Sequence, residues 1–186
     1  MAQELIFKNK TVAIIGSGPA GCICAYYLQE HFDVSIFDKG SFLRTILPTG
    51  GGRCNLAHAE YDFRELAKNY PRGEKFLYSV FSKFGTADTI DFFKKIGVNV
   101  YTQNDNRIFP ISNSSADVRD KLLKAISKCN LIKEEIKKIE QLSNGWKLKT
   151  NKSIYAFDYV VIAIGGHTSF ELIKELNIKI QPPTQA

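Results

Sequence analysis

The sequence predicts an α/β fold of the Rossmann type, in which helices flank a parallel sheet. A short β-branched run, Thr11–Ile15, is typical of a strand that is buried on both faces. The glycine-rich segment Gly16–Gly21 follows it directly and opens a helix-compatible stretch over residues 20–30. A second apolar run over residues 34–37 ends at Asp38. Strand, glycine-rich turn, helix and strand in this order make the first half of a βαβ unit.

The composition is that of an ordinary globular domain. The 186 residues are 44% hydrophobic and 24% charged, which excludes disordered and collagen-like chains. The formal net charge of +6 comes from the second half of the chain, and we interpret it as a solvated lysine-rich surface. Neither an apolar run of about 18 residues nor a signal-peptide pattern is present in the sequence, so we expect a cytoplasmic protein without a membrane partner.

The cysteine spacing argues against both metal binding and a disulfide framework. Four cysteines are present, with no C-x-x-C pair and no histidine at zinc-ligand spacing: Cys22, Cys24, Cys54 and Cys129. We therefore expect no metal site, and we interpret Cys22, Cys24 and Cys129 as small buried hydrophobic residues.

The middle of the chain alternates turn chemistry with helical patterns. Residues 39–57 are rich in turn residues and favour irregular structure. Amphipathic patterns predict helices over 75–84 and 86–96, the second capped by Thr86 and ended by Gly97. A short strand near 98–101 and a helix over 114–128 are expected to follow.

The last third of the sequence predicts a three-stranded antiparallel meander and a return to the parallel sheet. Turn residues such as Asn144-Gly145 separate the three segments of the meander, which are Ile136–Leu142, Trp146–Thr150 and Ile154–Phe157. The apolar run 159–164 is typical of another buried strand, and a helix is expected over 169–176.

The segment Gly16–Gly21 has the G-x-G-x-x-G spacing of a dinucleotide-binding turn, in the strand-to-helix context that this motif requires. Gly16 permits a tight turn, Gly18 lets a diphosphate approach the backbone, and Gly21 lets the helix pack closely on the strand. Asp38, roughly 20 residues further on, is placed to accept hydrogen bonds from a ribose diol and to repel a 2′-phosphate. The expected ligand is a dinucleotide without that phosphate.

A second unusual segment, Gly50–Asn55, begins with three consecutive glycines. Such a segment gives up side-chain packing, so it favours a backbone that contacts a ligand, although a plain surface loop is the alternative. Arg53 is suited to neutralising phosphate or an anionic cofactor, and Asn55 to directional hydrogen bonds. Cys54 has no second cysteine at dithiol spacing, and none of the three histidines has a catalytic partner by spacing, so the catalytic residues are not identified.

These motifs together resemble the N-terminal part of the HI0933-like family of FAD-dependent oxidoreductases, which includes aminoacetone oxidases and bile-acid-pathway flavoproteins. The resemblance rests on G-S-G-P-A-G (16–21), the acid at 38, G-G-G-R-C-N-L (50–56), R-I-F-P-I-S-N (107–113) and V-V-I-A-I-G-G (160–166). It covers nearly the whole chain. The motif G-G-G-R-C-N is more specific than the glycine fingerprint and is different from the paired cysteines of dithiol flavoprotein reductases.

The resemblance implies a set of FAD contacts. Six residues would form the loop around the FAD diphosphate: Gly16, Ser17, Gly18, Pro19, Ala20 and Gly21. Asp38 would hold the adenosine ribose, and the neighbouring Lys39 is a further candidate that is also typical of a solvated charge. Five residues would line the ribityl and flavin side: Gly51, Gly52, Arg53, Cys54 and Asn55. The backbone of Ile136 would lie near the adenine, and Gly165 and Gly166 match the turn after the strand that returns to the dinucleotide.

The chain departs from the family pattern at Asn106, where a glycine is common, at Ile164, where threonine is usual, and over 167–180, where a glycine-rich stretch is expected. Because family members continue into an inserted second domain and a segment that covers the flavin, residues 1–186 are expected to be one FAD-binding domain, as a fragment of a longer protein.

The sequence thus predicts the FAD-binding domain of a flavin-dependent oxidoreductase, with a small-molecule substrate and NADH or NADPH as possible electron donor. Two other functions fit the fingerprint: an NAD-binding dehydrogenase domain, and a nucleotide-binding module without turnover. No nucleic-acid partner is expected, because the basic residues of the second half are not interleaved with aromatic ones. Nothing in the sequence indicates the oligomeric state.

Overall fold

A computed structural model describes residues 10–166, 171–174, 176, 178 and 179. In chain order its elements are β1 (Thr11–Ile15), α1 (Pro19–Leu28), β2 (Asp33–Phe37), two 3-10 turns (Arg44–Ile46 and Thr49–Gly52), β3 (Ala57–His58), α2 (Phe63–Lys68), α3 (Glu74–Phe81), α4 (Thr86–Lys95), β4 (Val100–Thr102), β5 (Arg107–Pro110), α5 (Ser115–Ala125), β6 (Asn130–Ile132), β7 (Ile136–Leu142), β8 (Gly145–Thr150), β9 (Ile154–Phe157), β10 (Tyr159–Ile162) and α6 (Glu171–Lys174).

The chain divides into two compact units. The first contains residues 10–45 together with the described residues from Leu123 onward, and the second contains residues 46–122. The expectation that residues 1–186 form one domain stays a prediction.

The first unit is built on a parallel four-stranded sheet with the order β10-β1-β2-β6. The central strand β1 is buried as its β-branched run predicts, with Val12, Ala13, Ile14 and Ile15 all at most 5% exposed. This sheet confirms the predicted Rossmann-type fold class. The edge strand β6 was not predicted, because its three residues are too short and too exposed to give a buried pattern.

Helix α1 packs with small side chains. Its buried residues are Gly21, Cys22 and Ala25. Pro19 stands in the first turn, where a helix needs no backbone donor, so the helix begins one residue before the predicted position 20.

The predicted meander is confirmed as β7-β8-β9, and two of its three strands have the predicted bounds. Its buried side chains, among them Ile139 and Leu148, form one core with Phe37 of β2. The Phe37 ring meets those of Tyr155 and Phe157 edge to face, with centroids 5.1 and 5.7 Å apart. The meander therefore joins the sheet through an aromatic contact at the end of β2, directly before Asp38.

The second unit has an antiparallel sheet of order β3-β5-β4. The helices α2, α3 and α4 lie between β3 and β4 in the sequence. The strands β3 and β5 and the short helix α2 were missed, because two to six residues give no clear periodicity. The prediction that Thr86 caps α4 is wrong. Gly85 precedes the helix, and its N–H donates to the Asp88 carboxylate at 2.8 Å. Gly97 ends the helix as predicted, with φ +87°.

Several predicted bounds shift by a few residues. Helix α3 ends at Phe81 and α5 at Ala125, and β10 ends at Ile162. The helix predicted over 169–176 is described only at Glu171–Lys174. His167 and much of the 167–180 stretch lie outside the described residues. Within the described part of the chain, no helix is long and apolar enough to cross a membrane.

The side chain of Asp158 links β1 to β10. The Asp158 carboxylate accepts from Lys10 Nζ at 2.6 Å, from Thr11 N at 2.8 Å and from Thr11 Oγ1 at 2.9 Å, while its own N–H donates to Thr11 Oγ1 at 3.0 Å. The hydrogen bond from Lys10, followed by those from Thr11, lowers the pKa of Asp158 from 3.8 to about 2. The neighbouring strands β1 and β10 are thereby held together where both begin.

We expect Asp158→Asn to lower the free energy of unfolding near neutral pH, measured by urea titration. Because the pKa of Asp158 is lowered on folding, its contribution exists above the unfolded value and disappears as pH falls from about 4 towards about 2. The difference between wild type and variant should therefore shrink over that range.

The matched control is Asp120→Asn, which removes an exposed ion pair with Arg119. It should change stability little at any pH. A constant difference between Asp158→Asn and wild type at all pH values would contradict the assigned role.

Candidate functional site

The turn after β1 has no room for side chains at two of its glycines. Gly16 has φ +104°, and a Cβ on it would lie 2.3 Å from the Ala163 carbonyl oxygen. A Cβ on Gly21 would lie 2.1 Å from the carbonyl oxygen of Gly16. These two positions bring the start of α1, the end of β1 and the turn after β10 into direct backbone contact.

Gly18 differs from its neighbours, because a side chain there would meet open space. The nearest atom to its ideal Cβ is Thr45 Oγ1 at 3.8 Å, and its φ of −68° is one that any residue adopts. Gly18 precedes the first turn of α1, whose leading N–H groups have no partners within the helix and form the positive end of the helix dipole. An open backbone face at this place fits an anionic diphosphate.

Asp38 is held by the same turn. Its Oδ2 accepts from Ser17 N at 3.0 Å and from Ser17 Oγ at 2.6 Å, and its Oδ1 accepts from Gly40 N at 2.8 Å. Partial burial opposes ionisation, but these three hydrogen bonds and the charge of Arg44 together hold the pKa of Asp38 below its ordinary value. The carboxylate is therefore ionised at neutral pH and fixed at the end of β2.

A third segment lines this turn and was missed by sequence reasoning. Leu43 N–H donates to the Ser17 carbonyl at 3.1 Å, and Leu43 has a positive φ of +55° with a side chain that is 1% exposed. This bend brings the Thr45 hydroxyl beside Gly18. Nothing in the sequence pattern distinguishes Leu43 or Thr45 from other loop residues.

The remaining candidates of the first unit occupy varied positions. Lys39 is exposed, and its charge adds slightly to the lowering of the Glu135 pKa, which is due first to the hydrogen bond from Lys137. Ile136 starts β7, and its side chain is 8% exposed within the core. Gly165 has φ +77°, and no atom of the described residues lies within 4 Å of an ideal Cβ on Gly165 or Gly166.

In the second unit, the three glycines all have positive φ: +57° at Gly50, +67° at Gly51 and +85° at Gly52. A Cβ on Gly50 would lie 2.6 Å from Asn55 N and 2.9 Å from Phe109 Cε1, whereas Gly51 and Gly52 face open space. The loop is thus closed tightly on one side and presents bare backbone on the other. It is neither a regular helix nor a strand, as the sequence predicts.

The R-I-F-P motif supports this loop. The Arg53 guanidinium stacks on the buried Phe109 ring at 4.1 Å, and Arg53 Nε donates to the Gly50 carbonyl at 3.3 Å. With the amide nitrogen of Asn55 directed inward, it donates to the carbonyls of Ile108 at 3.2 Å and Ala57 at 3.0 Å. Ser115 Oγ donates to the Leu47 carbonyl at 2.7 Å just before the loop. Two motifs that are distant in sequence therefore make one structure.

Burial raises the pKa of the thiol in the three buried cysteines. Cys54 is 3% exposed, and burial raises the pKa of its thiol. Burial likewise raises the pKa of Cys22 to about 12 and that of Cys129 to about 11. All four cysteines are free thiols, and Cys24 is partly exposed rather than buried as predicted.

Two more features of the described residues concern metal binding and surface depressions. No group of three or more His, Cys, Asp or Glu side chains is placed to share a metal ion. An open depression at the β4–β5 hairpin contains none of the predicted site residues; it is lined by Tyr101, Thr102, Gln103, Asn104, Asp105 and Arg107.

The family model described as the HI0933-like protein Rossmann domain matches residues 10–173 of the sequence. The chain belongs to the HI0933-like family. The resemblance inferred from the motifs is thereby confirmed, and with it the Rossmann-type fold that the sequence predicts. The two alternatives, a nicotinamide dehydrogenase and a module without turnover, are not better supported by these matches.

Two of the curated proteins that match this HI0933-like chain are enzymes by name. The 3-dehydro-bile acid delta(4,6)-reductase of Clostridium scindens is 28% identical over 175 residues, which cover 87% of this chain and 40% of that protein. The ribosomal RNA dihydrouridine synthase of Escherichia coli is 28% identical over 158 residues, which cover 82% of this chain and 38% of that protein. The chain spans about two fifths of the length of either relative.

Solved structures agree on the fold. The crystal structure of Thermovibrio ammonificans THI4 superposes with a TM-score of 0.55 at 15% identity, covering 96% of this HI0933-like chain and 67% of the other. At this identity the likeness shows the fold alone.

We expect Gly21→Ala to destabilise the chain by more than about 1 kcal/mol, because its methyl group would collide with the Gly16 carbonyl oxygen at 2.1 Å. The free energy of unfolding from urea titration measures the effect. Gly166→Ala is the matched control, since no atom of the described residues lies within 4 Å of its added Cβ, and it should change stability by less than about 0.5 kcal/mol. Equal stability of the two variants would show that the close approach is not rigid.

Proposed function

We propose that this chain binds FAD through its first unit, with the diphosphate over residues 16–21 at the N-terminus of α1 and the adenosine ribose at Asp38. The observation that supports this best is the bare backbone at Gly18, flanked by a helix N-terminus and by an ionised carboxylate that the same turn holds. Thr45 Oγ1 faces this backbone and is proposed as a further hydrogen-bond donor to the diphosphate.

The loop of the second unit is proposed to contact the flavin half of the cofactor through residues 51–55. Gly51 and Gly52 offer backbone without side chains, and Arg53 offers a positive charge that Phe109 and the Gly50 carbonyl hold in one orientation. Asn55 uses its amide nitrogen within the loop, which leaves its side-chain oxygen for the cofactor. Lys39, the backbone of Ile136, and Gly165 and Gly166 stay as further proposed contacts.

FAD supplies hydride and electron transfer when bound, so this chain contributes binding and orientation. The raised pKa of Cys54 keeps its thiol neutral, which argues for a packing role rather than a thiolate in the reaction.

We propose that the reaction is the reduction of a carbon–carbon double bond conjugated to a carbonyl group, in a small molecule, with NADH or NADPH as the electron donor. The names of the two relatives support this class. One reduces delta(4,6) double bonds of a 3-dehydro bile acid, and the other makes dihydrouridine, in which a ring double bond of uridine is saturated. RNA is the competing substrate, because one relative acts on ribosomal RNA.

We also propose that the protein is cytoplasmic. It is supported by four cysteines that are all free thiols, as is usual for proteins of a reducing compartment.

The diphosphate site is tested with Gly18→Val. The new side chain would occupy open space in the protein, so we expect a folded variant that no longer accommodates the diphosphate. The measurement is visible flavin absorption retained after incubation with FAD and gel filtration. Wild type should keep the band and Gly18→Val should lose it.

Ser143→Val, an exposed change at the β7–β8 turn, is the control and should keep the flavin. Normal flavin retention by Gly18→Val would refute the diphosphate site. Failure of the wild type to retain flavin would refute FAD binding by this chain.

The substrate class is tested on the FAD-loaded chain without oxygen. Loss of the flavin band on adding NADH or NADPH identifies the donor, and its return on adding a candidate acceptor identifies the substrate class. We expect a 3-oxo-4-ene steroid to restore the band. Restoration by uridine-containing RNA instead would replace the small-molecule proposal, and restoration by neither would overturn the proposed substrate class. A flavin band that neither NADH nor NADPH removes would favour a nucleotide-binding module without turnover.

A further inference from the structure

The Asp38 carboxylate is already largely occupied by the protein. An ionised carboxylate offers about four acceptor positions on its two oxygens. Three are filled, two on Oδ2 by Ser17 and one on Oδ1 by Gly40. About one position on Oδ1 is left for a ligand.

Ser17 is built to hold this arrangement. Its side chain is 1% exposed, so its hydroxyl has little access to solvent or to a ligand. The hydroxyl and carbonyl oxygens of Ser17 both accept from Leu43 N–H, at 3.4 and 3.1 Å, which directs the hydroxyl proton towards Asp38. The Ser17 amide also donates to Asp38. The amide and the hydroxyl of Ser17 therefore both donate to the Asp38 carboxylate.

We propose that Ser17 is a positioning residue that leaves Asp38 able to accept from one ribose hydroxyl and not from the diol. This inference rests on the proposed FAD site and changes it in two ways. The ribose is held by a single hydrogen bond, whereas the motif alone suggests two. The diphosphate meets the amides of Gly18, Ala20 and Gly21, because Ser17 N–H is engaged and Pro19 has none.

The first test needs no ligand. The pKa of the Asp38 carboxyl is followed by NMR in wild type and in Ser17→Ala, with circular dichroism to verify folding. Removing the hydroxyl should raise this pKa, and Ser17→Thr should restore it. Arg44, the other charged group that acts on this pKa, is present in wild type and in both variants. The nearby Cys22 thiol stays neutral, because burial raises its pKa.

Ser35→Ala is the matched control, since Ser35 on β2 is also buried, at 7% exposure. It should leave the pKa of Asp38 unaltered. An unchanged pKa in folded Ser17→Ala would overturn the positioning role.

The second test measures binding of ADP, 2′-deoxy-ADP and 3′-deoxy-ADP by calorimetry. One deoxy analogue should bind about tenfold more weakly than ADP and the other like ADP, because a hydrogen bond to a charged group is lost in only one of them. In Ser17→Ala the discrimination between the analogues should decrease.

Equal losses for both analogues, or no loss for either, would overturn the single-hydroxyl contact. If wild type binds no ADP while the pKa of Asp38 still responds to Ser17→Ala, the proposed nucleotide site fails and the ribose contact fails with it, whereas the Ser17–Asp38 link is upheld.

Discussion

The close approach of backbone groups at Gly16 and Gly21 is the constraint on which the first unit depends. The Gly16 carbonyl oxygen occupies the place of a methyl group on Gly21, and the Ala163 carbonyl occupies that of a methyl group on Gly16. Three elements meet there without intervening side chains, which leaves the next amides of α1 uncovered. The candidate site therefore depends more on the lack of side-chain atoms at these glycines than on any functional group.

In the second unit, an aromatic ring holds the glycine-rich loop in place. Phe109 is completely buried, and it supports Gly50 on one side while the Arg53 guanidinium lies over its ring. A loop of three glycines has high conformational entropy when unfolded, so its ordering requires fixed neighbours. Phe109, Asn55 and the bond from Ser115 to Leu47 provide them.

Sequence patterns predict the features that repeat or that involve long buried segments. The strand β1 and the meander strands β7 and β9 have the predicted bounds, since their apolar residues recur over four to seven positions. Short strands such as β3 and β6 lack that signal. The Ser17–Asp38 pair also escapes prediction, because both residues read as ligand contacts and only the fold shows that they bind each other. Thr45 escapes it because nothing in the sequence pattern distinguishes this residue from other loop residues.

The hydrogen bonds of Asp158 to Lys10 and Thr11 connect β10 to β1. Lys10 and Asp158 are 148 residues apart in the sequence. On the ribosome, at about 5–20 residues per second, this separation corresponds to a delay on the order of ten seconds between the appearance of β1 and that of its neighbour β10. During that interval β1 has β2 on one side only, and the Ala163 carbonyl that abuts Gly16 has not yet been made. The turn over residues 16–21 is therefore synthesised well before the backbone that fixes its final shape.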